Sequence, residues 1–258
     1  MKNFSDYKRC FTFGCSITRY RWPTWSDIIK QEIPSTYNFA QSGAGNLFIA
    51  NSITEANLRY EFNKDDLVIV MWSSISREDR YLDNTWITPG NITSQNFYSA
   101  EWVDKWYDAR FYLLRDLALI ESTRQAMKAI NTNFHMWTMT KLPIVPADQY
   151  KQSKPDTDIQ ELYKHTIADL KPSIVDTIYH GQWPVTPIKG HGKHSQTADY
   201  HPTPKGHVKY IEKMLPTHRV TSNMTEYAHQ SEMKVREAKS FKDLETWWNE
   251  HNNKQSRL

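Results

Sequence analysis

The apolar residues of this chain fall into short clusters whose spacing alternates between two periods. Residues 9–14 form a mostly apolar run ended by glycine, which predicts a first strand. Residues 66–72, Asp-Leu-Val-Ile-Val-Met-Trp, are a continuous apolar run opened by an acidic pair, the pattern of a strand buried on both faces. Shorter strands are predicted over 36–40 and 133–140, and a fifth over 173–179. Between them, helical spacing predicts helices over 24–33, 46–62, 104–131, 157–170 and 204–215. Thr24 stands as the N-cap of the first, with Asp27 three residues later. Strands alternating with helices imply an α/β fold with a parallel sheet covered on both faces.

Two stretches break that rhythm. Residues 76–103 read as an inserted loop rich in Asn, Thr, Trp and Tyr, and a loop this long in a compact domain is usually functional or disordered. Its aromatic residues favour an ordered lid or a binding surface. Beyond residue 216 the chain turns polar. One short helix is predicted there, over 240–250, with positions 241, 244, 247 and 248 in a single apolar stripe that would dock on the main domain or on a partner. The expected organisation is one α/β domain over 1–216 and a polar tail over 217–258.

Bulk properties narrow the function classes. The 258 residues carry a net charge of +3, and the basic residues are dispersed rather than massed, which argues against a nucleic-acid partner. Ten Trp and fourteen Tyr, many in polar surroundings, as in Tyr20-Arg-Trp22, suit half-buried packing or stacking on sugar rings. Cys10 and Cys15 flank one predicted strand, about 16 Å apart at the usual rise per residue, so no disulfide joins them. That suits a reducing compartment. No apolar stretch nears the length of a membrane span and the first residues lack a signal-peptide core, so the expectation is a cytoplasmic or virion-associated protein with no membrane partner. Oligomeric state is not legible.

The chemistry concentrates in two places. Phe11-Thr-Phe-Gly-Cys-Ser-Ile-Thr18 sets Ser16 on a glycine turn directly after a strand. Asp199-Tyr-His-Pro-Thr-Pro-Lys-Gly-His207 sets Asp199 and His201 just before a helix. A serine hydroxyl needs a neighbouring base to attack at neutral pH, and imidazole titrates in that range. Asp199 is the group that would hold the imidazole tautomer. In an open parallel sheet, ligands bind beyond the carboxyl ends of the strands. Gln41-Ser-Gly-Ala-Gly-Asn46, Ser73 and Ser74 fall at such ends beside Ser16. Gly43 and Asn46 are candidate oxyanion donors, Asn46 also being a plausible helix cap. Arg77, at the rim, would meet an acidic substrate group or a structural carboxylate.

Phe13-Gly-Cys-Ser-Ile-Thr18 resembles the Gly-Asp-Ser motif of the SGNH (GDSL-like) hydrolases. Asn38-Phe-Ala-Gln-Ser-Gly43 resembles their second motif, and Asp199-Tyr-His201-Pro their C-terminal acid–histidine motif, over roughly residues 9–215. The resemblance implies a flavodoxin-like three-layer α/β/α fold with a central parallel sheet of about five strands. It implies ester hydrolysis without metal or other cofactor: Ser16 as nucleophile, His201 as base, Asp199 orienting it. The oxyanion would be met by the Ser16 and Gly43 N–H groups and an asparagine side chain. Substrates would be small-molecule or glycan esters such as O-acetylated sugars. Three positions depart from the pattern. Cys15 replaces the aspartate of the first motif. The third motif, normally Gly-x-Asn-Asp, has no asparagine in Val70-Met-Trp-Ser-Ser-Ile-Ser-Arg77, which leaves Ser73, Ser74 or Asn46 to serve. Asp199 precedes His201 by two residues instead of three.

Two other readings compete. His191, His194, Asp199, His201 and His207 form the densest set of potential metal ligands, without a helix to fix their spacing. The absent asparagine, the aromatic loop and the polar tail also suit a non-catalytic glycan-binding or virion-associated structural protein on a hydrolase scaffold.

Overall fold

The computed structural model describes residues 3–94, 97–142, 157–189 and 196–252. Its centre is a parallel sheet of four strands: β1 (Arg9–Phe13), β2 (Thr36–Asn38), β3 (Asp66–Trp72) and β6 (Asn133–Thr138), in the order β2-β1-β3-β6. β3 is buried along its whole length, as its unbroken apolar run requires. It pairs with β1 from Arg9↔Asp66 to Phe13↔Val70 and with β6 from Leu67↔Asn133 to Trp72↔Thr138.

Helices form two groups. α1 (Trp25–Ile29) packs with α8 (Pro204–Met214) and α9 (Ser222–Glu237), while α2 (Asn46–Tyr60) packs with α4 (Ala109–Ile130), and α4 with α6 (Lys164–Asp169). Together with the sheet they enclose one large apolar core, which includes Phe11, Val68, Trp72, Ile120, Trp137 and Ile211. This is the α/β architecture expected of alternating strands and helices. The strand order places a topological switch point between β1 and β3, where neighbouring connections leave in opposite directions.

The fifth strand predicted over 173–179 is a helix, α7 (Ile174–Tyr179). Ser173 caps it, its hydroxyl oxygen accepting from the Asp176 N–H at 3.0 Å, and Asp176 in turn accepts from the Ser173 hydroxyl. The space beside β6 is taken by Leu170 and Lys171: Met136 and Leu170 form a single parallel bridge, and the Lys171 N–H donates to the Met136 carbonyl at 2.9 Å.

Within 76–103 lies a hairpin, β4 (Arg80–Leu82) and β5 (Thr85–Ile87). Asp83 and Asn84 both take positive φ at its two-residue turn, as a turn matching strand twist requires. The helix expected over 104–131 is two: α3 (Ala100–Trp106), capped by Ser99, and α4, capped by Asp108. Likewise 157–170 splits into α5 (Thr157–Leu162) and α6. A short antiparallel pair, β7 (Thr186–Lys189) and β8 (Gln196–Asp199), leads into α8.

Two helices follow α8. α9 buries Met224 and Ala228 in the main core. α10 (Phe241–Asn252) buries Phe241 and Leu244, which join Trp22 and Val235 in a satellite cluster; Trp247 and Trp248 are half-buried. Cys10 and Cys15 are both buried free thiols. Among the described residues, no helix is long and apolar enough to cross a membrane.

Candidate active site

The chain leaves β1 at Gly14 and turns sharply. A Cβ at Gly14 would stand 2.1 Å from Thr18 Oγ1, so only glycine lets the turn close. The turn is tied by the Thr18 and Arg19 N–H groups, both donating to the Cys15 carbonyl. It is further held by Asn38, whose amide donates to the Thr18 carbonyl at 2.9 Å. Cys15 points inward, its thiol 3.4 Å from Met139 Sδ. The Cys15 side chain is thus taken up inside the fold, while Ser16 reaches toward His201.

Ser16 Oγ lies 2.8 Å from His201 Nε2. The other ring nitrogen, Nδ1, lies 2.9 Å from Asp199 Oδ1, and the same oxygen accepts the His201 backbone N–H at 2.8 Å. The two-residue spacing therefore suffices: one carboxylate oxygen grips both the backbone and the ring of His201. With a carboxylate at Nδ1, the proton of a neutral imidazole is held there, which leaves Nε2 to accept from the Ser16 hydroxyl. Burial pushes the Asp199 carboxyl up, but hydrogen bonds from His201 and Tyr20 outweigh that and hold it below the usual carboxylate range. Asp199 is therefore ionised at neutral pH.

The loop after β2 comes alongside. The Gln41 N–H donates to the Gly14 carbonyl at 3.3 Å, which brings Gln41–Gly43 next to the serine turn. Gly43 has φ +78°, and a Cβ there would meet the Thr88 carbonyl at 2.2 Å. The Thr88 hydroxyl donates to the Ser42 carbonyl at 2.8 Å and accepts from the Gln41 amide at 3.0 Å. The segment following the β4–β5 hairpin is thereby strapped across this loop. Neither the Ser16 nor the Gly43 backbone N–H donates to an acceptor among the described residues.

The structure places Asn46 and Ser73 inside the fold. Asn46 is fully buried; its amide donates to Asp116 Oδ2 at 2.7 Å and to the Ser73 carbonyl at 3.2 Å, while its oxygen accepts the Ser73 N–H at 2.7 Å. Both amide N–H groups and the amide oxygen of that side chain are spent tying α2 to the end of β3 and to Asp116, so it has no donor left for a ligand. Ser73 is buried too, and its hydroxyl has no partner among the described residues. Ser74 is partly exposed, its hydroxyl oxygen accepting from the Ser76 N–H at 3.2 Å.

Arg77 lies between the two loops. It donates from Nη1 to the Ala44 carbonyl at 2.8 Å, and its Nη2 is 3.8 Å from the same Met139 sulfur that receives Cys15. It makes no salt bridge among the described residues, though Asp79 is near enough to feel its charge, and its Nε is buried without a hydrogen-bond partner. Of the residues in the competing metal reading, His191 and His194 lie outside the described residues. His207 is buried in α8, its Nδ1 unpartnered, and burial with a smaller contribution from His201 lowers its pKa to about 3.

One neighbour of His201 was not foreseen. Tyr20 stacks on the imidazole, with ring centroids 3.7 Å apart and planes at 16°, and its hydroxyl donates to Asp199 Oδ2. In the sequence it is one aromatic among many, and its spacing from Asp199 carries no signal.

No family model matches the chain, and no curated protein matches it either. Among solved structures, the chain is similar to a crystal structure of a GDSL-like lipase from Bacteroides thetaiotaomicron. The two are 14% identical, the match covers 81% of this chain and 86% of that one, and the TM-score is 0.42.

Proposed function

We propose that this chain is a serine ester hydrolase of the SGNH (GDSL-like) kind. The observation that carries the reading is the unbroken line Ser16–His201–Asp199, at 2.8 and 2.9 Å, joining residues 185 positions apart at the carboxyl edge of a parallel sheet. A serine, an imidazole with its proton held on the far nitrogen, and an ionised carboxylate are the parts of acyl transfer. Ser16 Oγ attacks the ester carbonyl while His201 Nε2 takes its proton. The imidazolium, stabilised by Asp199, then protonates the leaving alcohol. A water activated by His201 releases the acyl group from Ser16 and restores the enzyme.

The tetrahedral intermediate carries a negative oxygen that needs donors in place beforehand. The Ser16 and Gly43 N–H groups are two, since neither is spent inside the fold. With Asn46 committed elsewhere, Arg77 takes the third position: it lies between the Ala44 loop and the Cys15–Met139 contact, and among the described residues no salt bridge holds its guanidinium, although the Asp79 carboxylate lies within reach of its charge. The same charge suits an acidic group on the substrate. Exposed rings flank the site in sequence, Tyr200 between Asp199 and His201 and Trp183 just before β7. Such surfaces favour an O-acylated glycan among carboxylic esters.

The test is hydrolysis of p-nitrophenyl acetate by wild type and Ser16→Ala. The expected result is a loss of at least about 10³-fold in kcat/KM for the variant. Equal rates for the two proteins would leave a non-catalytic binding role as the better reading.

A further inference from the structure

The turn between β1 and α1 carries three consecutive residues, Tyr20, Arg21 and Trp22, that connect the candidate site to the last helix. Tyr20 covers one face of the His201 ring, and its hydroxyl donates to Asp199 Oδ2, the oxygen that His201 leaves free. Trp22 stands edge-on to Tyr20, with centroids 4.5 Å apart, and edge-on to His201 at 6.5 Å. Its indole N–H donates to the Pro202 carbonyl at 3.0 Å, one residue beyond His201.

The turn is clamped from outside by the chain's last helices. Trp22 is buried against Val235, Phe241 and Leu244, with Tyr20 packed at the margin. The Arg21 guanidinium lies over the Phe241 ring at 4.5 Å, and its Nε meets Glu245 at 3.2 Å. α10 therefore reaches the candidate site through one three-residue turn.

We infer that Tyr20 is a positioning residue that sets the orientation and basicity of His201, held for that task by α10. This rests on the ester-hydrolase reading. Asp199 precedes His201 by only two residues, so one of its oxygens is drawn to the His201 backbone and ring together. Without a second anchor, the carboxylate is free to rotate about that oxygen. The Tyr20 hydroxyl supplies the anchor, and its ring keeps the imidazole in the plane that faces Ser16. The hydroxyl also draws negative charge away from the carboxylate, so it moderates how strongly Asp199 favours the imidazolium. Among the described residues, the other groups facing this pair are the Ser16 hydroxyl, His207 and the Arg21–Glu245 ion pair. His207 is neutral at working pH, and the ion pair is charge-balanced.

Substitution of Tyr20 by Phe keeps the stacked ring and removes only the hydrogen bond, which gives the inference a sign. With the donor gone, Asp199 holds more charge against His201, the imidazolium is favoured, and the base form appears at higher pH. The experiment follows the His201 ring by NMR through a pH titration of wild type, Tyr20→Phe and Tyr20→Leu, alongside kcat/KM for p-nitrophenyl acetate across the same range. Tyr20→Phe is expected to raise the His201 midpoint by about half a pH unit, to move the acid limb of kcat/KM with it, and to lower the plateau about tenfold. Tyr20→Leu, lacking ring and hydroxyl, is expected to lower the plateau further. An unchanged His201 midpoint in Tyr20→Phe overturns the inference, as does a loss of rate that is uniform in pH. If Ser16→Ala hydrolyses as fast as wild type, the hydrolase reading fails separately, and the NMR midpoint still decides whether Tyr20 governs the imidazole.

Discussion

Asn46 illustrates how a residue suited to one task is spent on another. An asparagine at the start of a helix, beside a glycine loop, has the chemistry of an oxyanion donor. Here it closes three hydrogen bonds inside the fold, to Ser73 on both sides of its backbone and to Asp116. Burial pushes the Asp116 carboxyl up to about 6, against the pull of Arg115 and Asn46. Replacing Asn46 by Ala strands the Ser73 N–H and takes a donor from a buried carboxylate. We expect Asn46→Ala to cost about 2–4 kcal/mol of stability, read from urea melts. If the variant is instead as stable as wild type but loses hydrolysis, Asn46 acts on substrate and the assignment of Arg77 falls.

The strands and the helices they alternate with were legible because burial on both faces leaves an uninterrupted apolar run, as in 66–72. Ser16, His201 and Asp199 were legible for a related reason: each stands at an element boundary, where glycine, proline and polar residues interrupt the apolar pattern. Residues 173–179 misled because Ile174, Val175, Thr177 and Ile178 are β-branched, while the Ser173–Asp176 cap that settles the matter is a local hydrogen bond. The break between α3 and α4 rests on a cap too, Asp108, inside a stretch whose helical spacing continues through it. α9 escaped notice because its buried face includes Ser231 and Glu232, so the apolar stripe is broken in sequence though not in space. Glu232 is tolerated there by Arg236 at 3.0 Å and the Lys205 N–H at 3.3 Å. α10 was visible as an element, but its partner Trp22 was not, because contacts this distant leave no periodic trace. Its packing predicts that Leu244→Ala costs about 2–3 kcal/mol in a thermal or urea melt. Because Leu244 supports the Trp22 turn, kcat is expected to fall as well, with little change in KM. A stability loss with an unchanged kcat would separate α10 from the candidate site.

Four distant parts of the chain are joined by direct contacts beyond the carboxyl end of β1: the Ser16 turn, the Gln41–Gly45 loop, Arg77 and the Asp199–His201 segment. The last of these is carried by α8, whose buried His207 makes a prediction about the molecule in acid. Burial lowers the His207 pKa to about 3 from an ordinary 6.5, so the unfolded chain takes up a proton that the folded chain refuses. Its contribution to stability is present above about pH 6.5 and is lost as pH falls toward 3. His207→Leu is therefore expected to lose less Tm than wild type between pH 7.5 and 5; an equal loss in both would contradict it. In the proposed mechanism, a hydroxyl near the start of the chain is made nucleophilic by an imidazole beyond residue 200. The most direct measurement is reaction of the folded protein with a fluorophosphonate probe, followed by peptide mass spectrometry. An adduct is expected on Ser16 in wild type and none there in His201→Ala. A folded wild-type protein that carries no adduct on Ser16, or a His201→Ala variant that labels at the same rate, would contradict it.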